Sequence, residues 1–263
     1  MDRIHVYCFV LSYAVAFGLE LWHLLRPRRV LRLLAQGFGA AGLVAHTLYL
    51  ADKRPPLASQ FGWMLLLGWV LAIFYLYGSI HHRRVAWGVF VLPLVLGLVA
   101  LGAIFGRPPG SPVGRDDNLW GLVHGVLIFL AAVGICVGFL ASLMYLYQAH
   151  RLRAKLPPGK GVRLLSLERL ETMNRRAINL AFPLLTAGVL LGAGLMLQYP
   201  LYLWTDQRIL SAIALWATFA LVIVLRYGYH LRARQIAFLT ILTFVLMVGC
   251  LTLSHPVGQG GPR

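Results

Sequence analysis

A chain of 263 residues that is 59% hydrophobic and only 12% charged is not a water-soluble domain, because soluble domains of this size carry about twice that charged fraction. Its 24 Lys and Arg outnumber 8 Asp and Glu, giving a net charge of +16. That charge is parcelled out between apolar runs, so it reads as a membrane topology signal and an attraction to anionic lipid heads, with no nucleic acid as partner.

A spanning helix needs about 20 apolar residues, since in hydrocarbon every backbone donor and acceptor must be satisfied within the helix. Eight segments meet that need, and the chain reads as all-α with eight transmembrane helices. The first runs from Ile4 to Leu25 and reads as a retained helix, since its basic cluster follows it. It carries Glu20 and His23 three residues apart, close enough to meet on one helix face. An intramembrane carboxylate is a functional candidate by default. Glu20 is therefore expected either to pair structurally with His23 or a nearby Arg, or to relay protons.

The second span, Val30 to Ala51, places His46 in its outer half, within GLVAHTLYL. The third and fourth run from Phe61 to Ile80 and from Val85 to Phe105. The connection GRPPGSPVGRDDN from Gly106 to Asn118 has no apolar face and reads as an irregular loop. The fifth span, Leu119 to Tyr147, opens on His124 within LWGLVHGVL.

After Pro157-Pro158-Gly159, the stretch from about 164 to 176 places Leu167, Leu170, Met173 and Ala177 at helical spacing among Glu168, Arg169, Glu171, Arg175 and Arg176. It reads as an amphipathic helix in the cytoplasmic interface, capped by Ser166 and running into the sixth span, Ala177 to Gln198. The seventh and eighth spans are Ile209 to Leu225 and Gln235 to Ser254, and the last is followed by His255. Residues 1–263 thus form one integral-membrane domain, with no room for a soluble catalytic domain.

Orientation follows from the basic residues. The first, third, fifth and seventh connections hold Arg26, Arg28, Arg29 and Arg32, then Arg83 and Arg84, then eight residues from Arg151 to Arg176, then Arg226, Arg232 and Arg234. Basic connections stay cytoplasmic, so both termini are expected to be extracytoplasmic. Asp2, Asp52, Asp116, Asp117 and Asp206 all fall on the opposite side.

The chemistry left to the chain is histidine. Cys8, Cys136 and Cys250 have no C-x-x-C spacing and read as small buried apolar residues. No H-E-x-x-H motif and no intramembrane Ser-His-Asp set is present, which points away from an enzyme. His81, His82, His150 and His230 belong to the basic cytoplasmic edge. His46, His124 and His255 share the outer layer, where they are either hydrogen-bonded packing residues or ligands converging on one metal centre. Haem suits the second reading, because imidazoles bind its iron axially while an apolar pocket covers the macrocycle.

The segment from Trp120 to Lys155, followed by LLSLERLETMNRRAINLAFPLLTAGVLLGAG, resembles the cytochrome c assembly family, which includes CcsA, CcmC and the HemX and YpjD types. The resemblance extends to GLVAHTLYLADKRPP and RYGYHLRARQIAF and is closest to the HemX and YpjD branch. It implies that His124 is the outer axial ligand of haem iron, that His255 or His46 is its partner, and that the cofactor is haem b. The family's haem handlers carry a tryptophan-rich outer loop ending in Trp-x-Trp-Asp-Pro-Lys. Trp204, Asp206 and Arg208 fit part of that motif; they equally suit an interfacial aromatic belt with outer-loop charges. The family's second intramembrane histidine is replaced by Val224. The resemblance therefore implies a non-enzymatic, haem-interacting assembly factor in the bacterial inner (plasma) membrane, in contact with lipids and other assembly proteins. The alternative it implies is a HemX-like regulatory or scaffold protein that captures a partner on its basic cytoplasmic loops without carrying haem.

Overall fold

The computed structural model describes residues 6–53, 60–82, 85–105, 119–155, 164–198, 207–229 and 231–253. Among them are eight helices: α1 (Val6–Leu25), α2 (Arg29–Lys53), α3 (Gln60–His81), α4 (Gly88–Phe105), α5 (Leu119–Arg153), α6 (Leu167–Gln198), α7 (Gln207–Tyr227) and α8 (Ala233–Leu253). Seven are long and apolar enough to cross a membrane, and α4 is a shorter apolar helix. Its 18 residues reach about 27 Å, just under the roughly 30 Å of a hydrocarbon core. It is shorter than the apolar run because Val85, Ala86 and Trp87 turn before the helix begins, and Phe90 and Val91 donate their backbone N–H groups to the Trp87 carbonyl.

The expected interfacial helix and sixth span are one continuous helix, α6. Ser166 caps it as its position implies: Leu170 N–H donates to the Ser166 carbonyl at 3.0 Å and Arg169 N–H to its hydroxyl at 3.4 Å. Leu170 is fully buried against protein, although the sequence pattern suits a lipid interface equally well.

The helices form two compact units, residues 1–114 with 143–171 and residues 115–142 with 172–263. In the first, α1 to α4 pack by setting aromatic rings on glycines. Tyr13 of α1 lies over Gly42 of α2, and Tyr75 of α3 lies over Gly39. Trp87, ahead of α4, lies on Gly78 of α3 and donates its indole N–H to the Phe74 carbonyl at 3.3 Å. Between lipid-facing helices the hydrophobic drive is weak, so close approach and dispersion carry association, and glycine permits it. The C-terminal part of α5 belongs to this unit, with Tyr147 edge-on to Phe90.

In the second unit α5 and α6 run antiparallel. Going along α5 through His124, Ile128, Gly134 and Gly138, one meets Gly192, Gly188, Ala181 and Ala177 on α6. Each helix thus brings a G-x-x-x-G pair to the seam, Gly134 with Gly138 and Gly188 with Gly192. Phe139 stacks on Phe244 of α8 at 3.9 Å, and Trp216 of α7 donates to Thr186 Oγ1 at 3.0 Å.

A polar node closes one end of this unit. Asn174 Nδ2 donates towards the Gly138 carbonyl, Ser142 Oγ and Thr240 Oγ1, at 3.2, 2.9 and 3.3 Å, and its Oδ1 accepts from Arg226 Nη1 at 2.8 Å. Because a guanidinium only donates, the amide oxygen must face Arg226 and the amide nitrogen the three oxygens. One side chain so ties α5, α6, α7 and α8.

The cysteines form no disulfide among the described residues; Cys136 is buried as expected, Cys250 only partly so, and Cys8 departs from expectation. Cys250 donates to Ser211 Oγ at 3.1 Å, whereas Cys8 is exposed. A lipid-facing surface is as apolar as a core, so an apolar run does not distinguish the two.

Candidate functional site

Titratable groups within the spans gather at three places. The first is Glu20, buried in the first unit. It accepts a hydrogen bond from Tyr75 Oη at 3.1 Å and feels the positive charge of Arg32, while its carboxylate rests against Gly88 at the start of α4. The expected Glu20–His23 hydrogen bond does not form, and His23 Nδ1 is buried without a partner among the described residues. Same-helix spacing permits a contact, but a hydroxyl arriving from α3 satisfies the carboxylate better. Tyr75 also reaches the Ala35 carbonyl at 3.3 Å, which ties α1, α2 and α3 together.

His46 is 0% exposed. Its ring lies parallel on Phe9 at 4.1 Å, and its Nδ1 meets Tyr13 Oη at 3.4 Å. Its Nε2 is buried without a hydrogen-bond partner among the described residues. An orphaned imidazole nitrogen is chemically suited to a metal or other ligand atom. The aromatic seal of Phe9 and Tyr13, however, packs this ring as a core side chain.

His124 is arranged differently. It sits one turn into α5 in the second unit, half-buried, and its Nδ1 lies 2.8 Å from the Gly188 carbonyl of α6. A carbonyl only accepts, so Nδ1 carries a proton, and in the neutral ring Nε2 is then the lone-pair nitrogen. Nε2 has no hydrogen-bond partner among the described residues. This is the usual preparation of a metal-ligating histidine: the far ring nitrogen donates to a backbone carbonyl, which fixes tautomer and orientation. Trp120, an exposed aromatic side chain, stands one turn before it on the same face of α5.

The chemistry of His124 therefore suits a residue that would hold a metal centre such as haem iron. His124 is the one histidine among the described residues of its unit, while His46 belongs to the other unit. His255, Trp204 and Asp206 lie outside the described residues, as does His230, and Arg208 falls in the first turn of α7. Among the described residues no three of His, Cys, Asp and Glu gather as a metal-binding group. Two features went unread in the sequence. The Asn174 node was hidden in a segment read as interfacial, and the acceptor on Gly188 in a span read only as glycine-rich. The G-x-x-x-G spacing on both helices was the signal for the latter.

Long apolar helices, polar groups held at helix seams and a prepared imidazole define a multi-pass helical membrane protein. The family model described as "Cytochrome C assembly protein" matches residues 57–260, and the chain belongs to that family. No curated protein and no solved structure matches the chain. The match gives the protein a role in cytochrome c biogenesis and a general association with haem. It begins after α2, so Glu20 and His46 precede the matched residues.

Proposed function

We propose that the protein is a non-enzymatic assembly factor that binds haem at the extracytoplasmic face of a bacterial plasma membrane, with His124 Nε2 as an axial ligand of the iron. The observation that carries this reading is the 2.8 Å contact between His124 Nδ1 and the Gly188 carbonyl, which leaves Nε2 available in an apolar setting. His255 is the favoured partner ligand, following the last apolar run in the sequence; His46, the other candidate, belongs to the other unit and is sealed by Phe9 and Tyr13. Trp204 and Asp206 are assigned to the rim of the same site. Bound iron supplies the redox and ligand-exchange chemistry of haem b, and the chain supplies the imidazole, its orientation and the apolar surround.

The protein purified from haem-replete cells is expected to show a Soret band, and the haem-free protein to acquire one on titration with hemin. A colourless preparation that hemin does not change favours the HemX-like reading, in which the basic loops capture a protein partner.

The site is extracytoplasmic only if the basic connections are cytoplasmic. A cysteine introduced at Gly258 in a background without native cysteines should react with an impermeant maleimide in intact cells, and one at Gly159 should react only after permeabilisation. Reaction at Gly159 with none at Gly258 reverses the orientation and moves His124 to the cytoplasmic side.

A further inference from the structure

Resting on the reading of His124 as a ligand, we infer that Gly188 and Gly192 are its positioning residues: together they form a cradle on α6 that selects the Nδ1–H tautomer and aims Nε2 away from the seam. The geometry is specific. A Cβ at Gly192 would stand 2.7 Å from His124 Cε1 and 3.1 Å from Nδ1, so any side chain there displaces the ring from the carbonyl it bonds. A Cβ at Gly188 would stand 2.6 Å from Ile128 Cδ1 and 3.0 Å from its Cγ1, so a side chain there must shift the Ile128 side chain that rests on this glycine.

His124 and Ile128 are four residues apart on α5, and Gly188 and Gly192 four apart on α6, so two side chains of one helix face rest on two glycines of the other. The Gly188 carbonyl accepts the imidazole N–H with its second lone pair, beyond its bond within the helix, and the missing side chains leave it open to approach. Gly194 lies two residues further along α6 and has nothing within 4 Å of where its Cβ would be. It serves as a control on the same helix.

The test reads the imidazole directly. In haem-free protein carrying 15N-histidine, nitrogen resonances of His124, assigned by their loss in His124→Ala, should report a hydrogen-bonded Nδ1–H and an unprotonated Nε2. Gly192→Ala should abolish that signature and lower hemin affinity about tenfold or more, the usual effect of removing a ligand's outer-shell partner. Gly194→Ala should leave both unchanged. A Gly192→Ala protein that folds and keeps the wild-type His124 resonances overturns the inference.

If Gly192→Ala fails to fold, the double variant His124→Ala/Gly192→Ala decides. Recovery of folding once the ring is gone supports the cradle, and continued misfolding overturns it. The tautomer is read without haem, so a wild-type protein that takes up no hemin refutes the ligand reading while the cradle is judged separately.

Discussion

Gly78→Ala is expected to destabilise the first unit by about 3 kcal/mol, because a Cβ at this position falls inside the Trp87 indole. Trp87 is 3% exposed, so the ring has no free space to move into. It must leave its seat, giving up its bond to the Phe74 carbonyl and its ring contact with Phe74, at 5.3 Å between centroids. That carbonyl lies one turn before Gly78 on α3, and Trp87 immediately precedes α4, so the displacement separates the two helices. Unfolding of detergent-solubilised protein, followed by circular dichroism during titration with a denaturing detergent, should show an earlier transition. Gly97→Ala, in α4 with nothing within 4 Å of the new Cβ, should behave as wild type. Equal stability of the two variants would mean that Trp87 does not occupy this seat.

The second large effect is expected at Asn174. Asn174→Leu removes the acceptor for Arg226 and the donor shared by α5 and α8. The hydroxyls are not stranded, since Ser142 and Thr240 already donate to carbonyls one turn back on their own helices. The loss therefore concentrates on the charged hydrogen bond, of a kind worth about 1.5–3 kcal/mol, whereas neutral bonds between membrane helices average about 0.6 kcal/mol. We expect about 2 kcal/mol in the same denaturing titration. Thr240→Val, which removes one neutral acceptor, should cost under about 1 kcal/mol. The reverse order would contradict the assignment of Arg226 as the principal partner.

How far the sequence carried the fold follows from what an apolar run encodes. Run length gives the apolar helices, and most begin and end close to the expected places; α4 starts late because Val85 to Trp87 form a turn, α5 runs past Tyr147 to Arg153, and α6 starts where Ser166 is expected to cap it. Which face of a span meets protein is not encoded in the same way, since lipid and core demand the same residues. Cys8 was accordingly misplaced, and Leu170 was assigned to a lipid interface. Polar partners are equally hidden: Glu20 and His23 share a helix face, yet the carboxylate is satisfied from α3, at a sequence separation no local pattern reports. His124 stands out as a candidate in the sequence because a histidine at the start of a long apolar run is conspicuous. The Gly188 carbonyl that prepares it does not, because a backbone acceptor has no residue type.

The claim that His124 carries haem is tested most directly by absorption spectra of His124→Ala and His230→Ala purified beside the wild type from haem-replete cells. Deleting the imidazole removes its bond to the Gly188 carbonyl but no bond between backbone groups, so His124→Ala should insert and fold while its Soret band is lost or shifted, and His230→Ala should keep the wild-type band. Haem content that survives the combined replacement of His46, His124 and His255 would contradict the account.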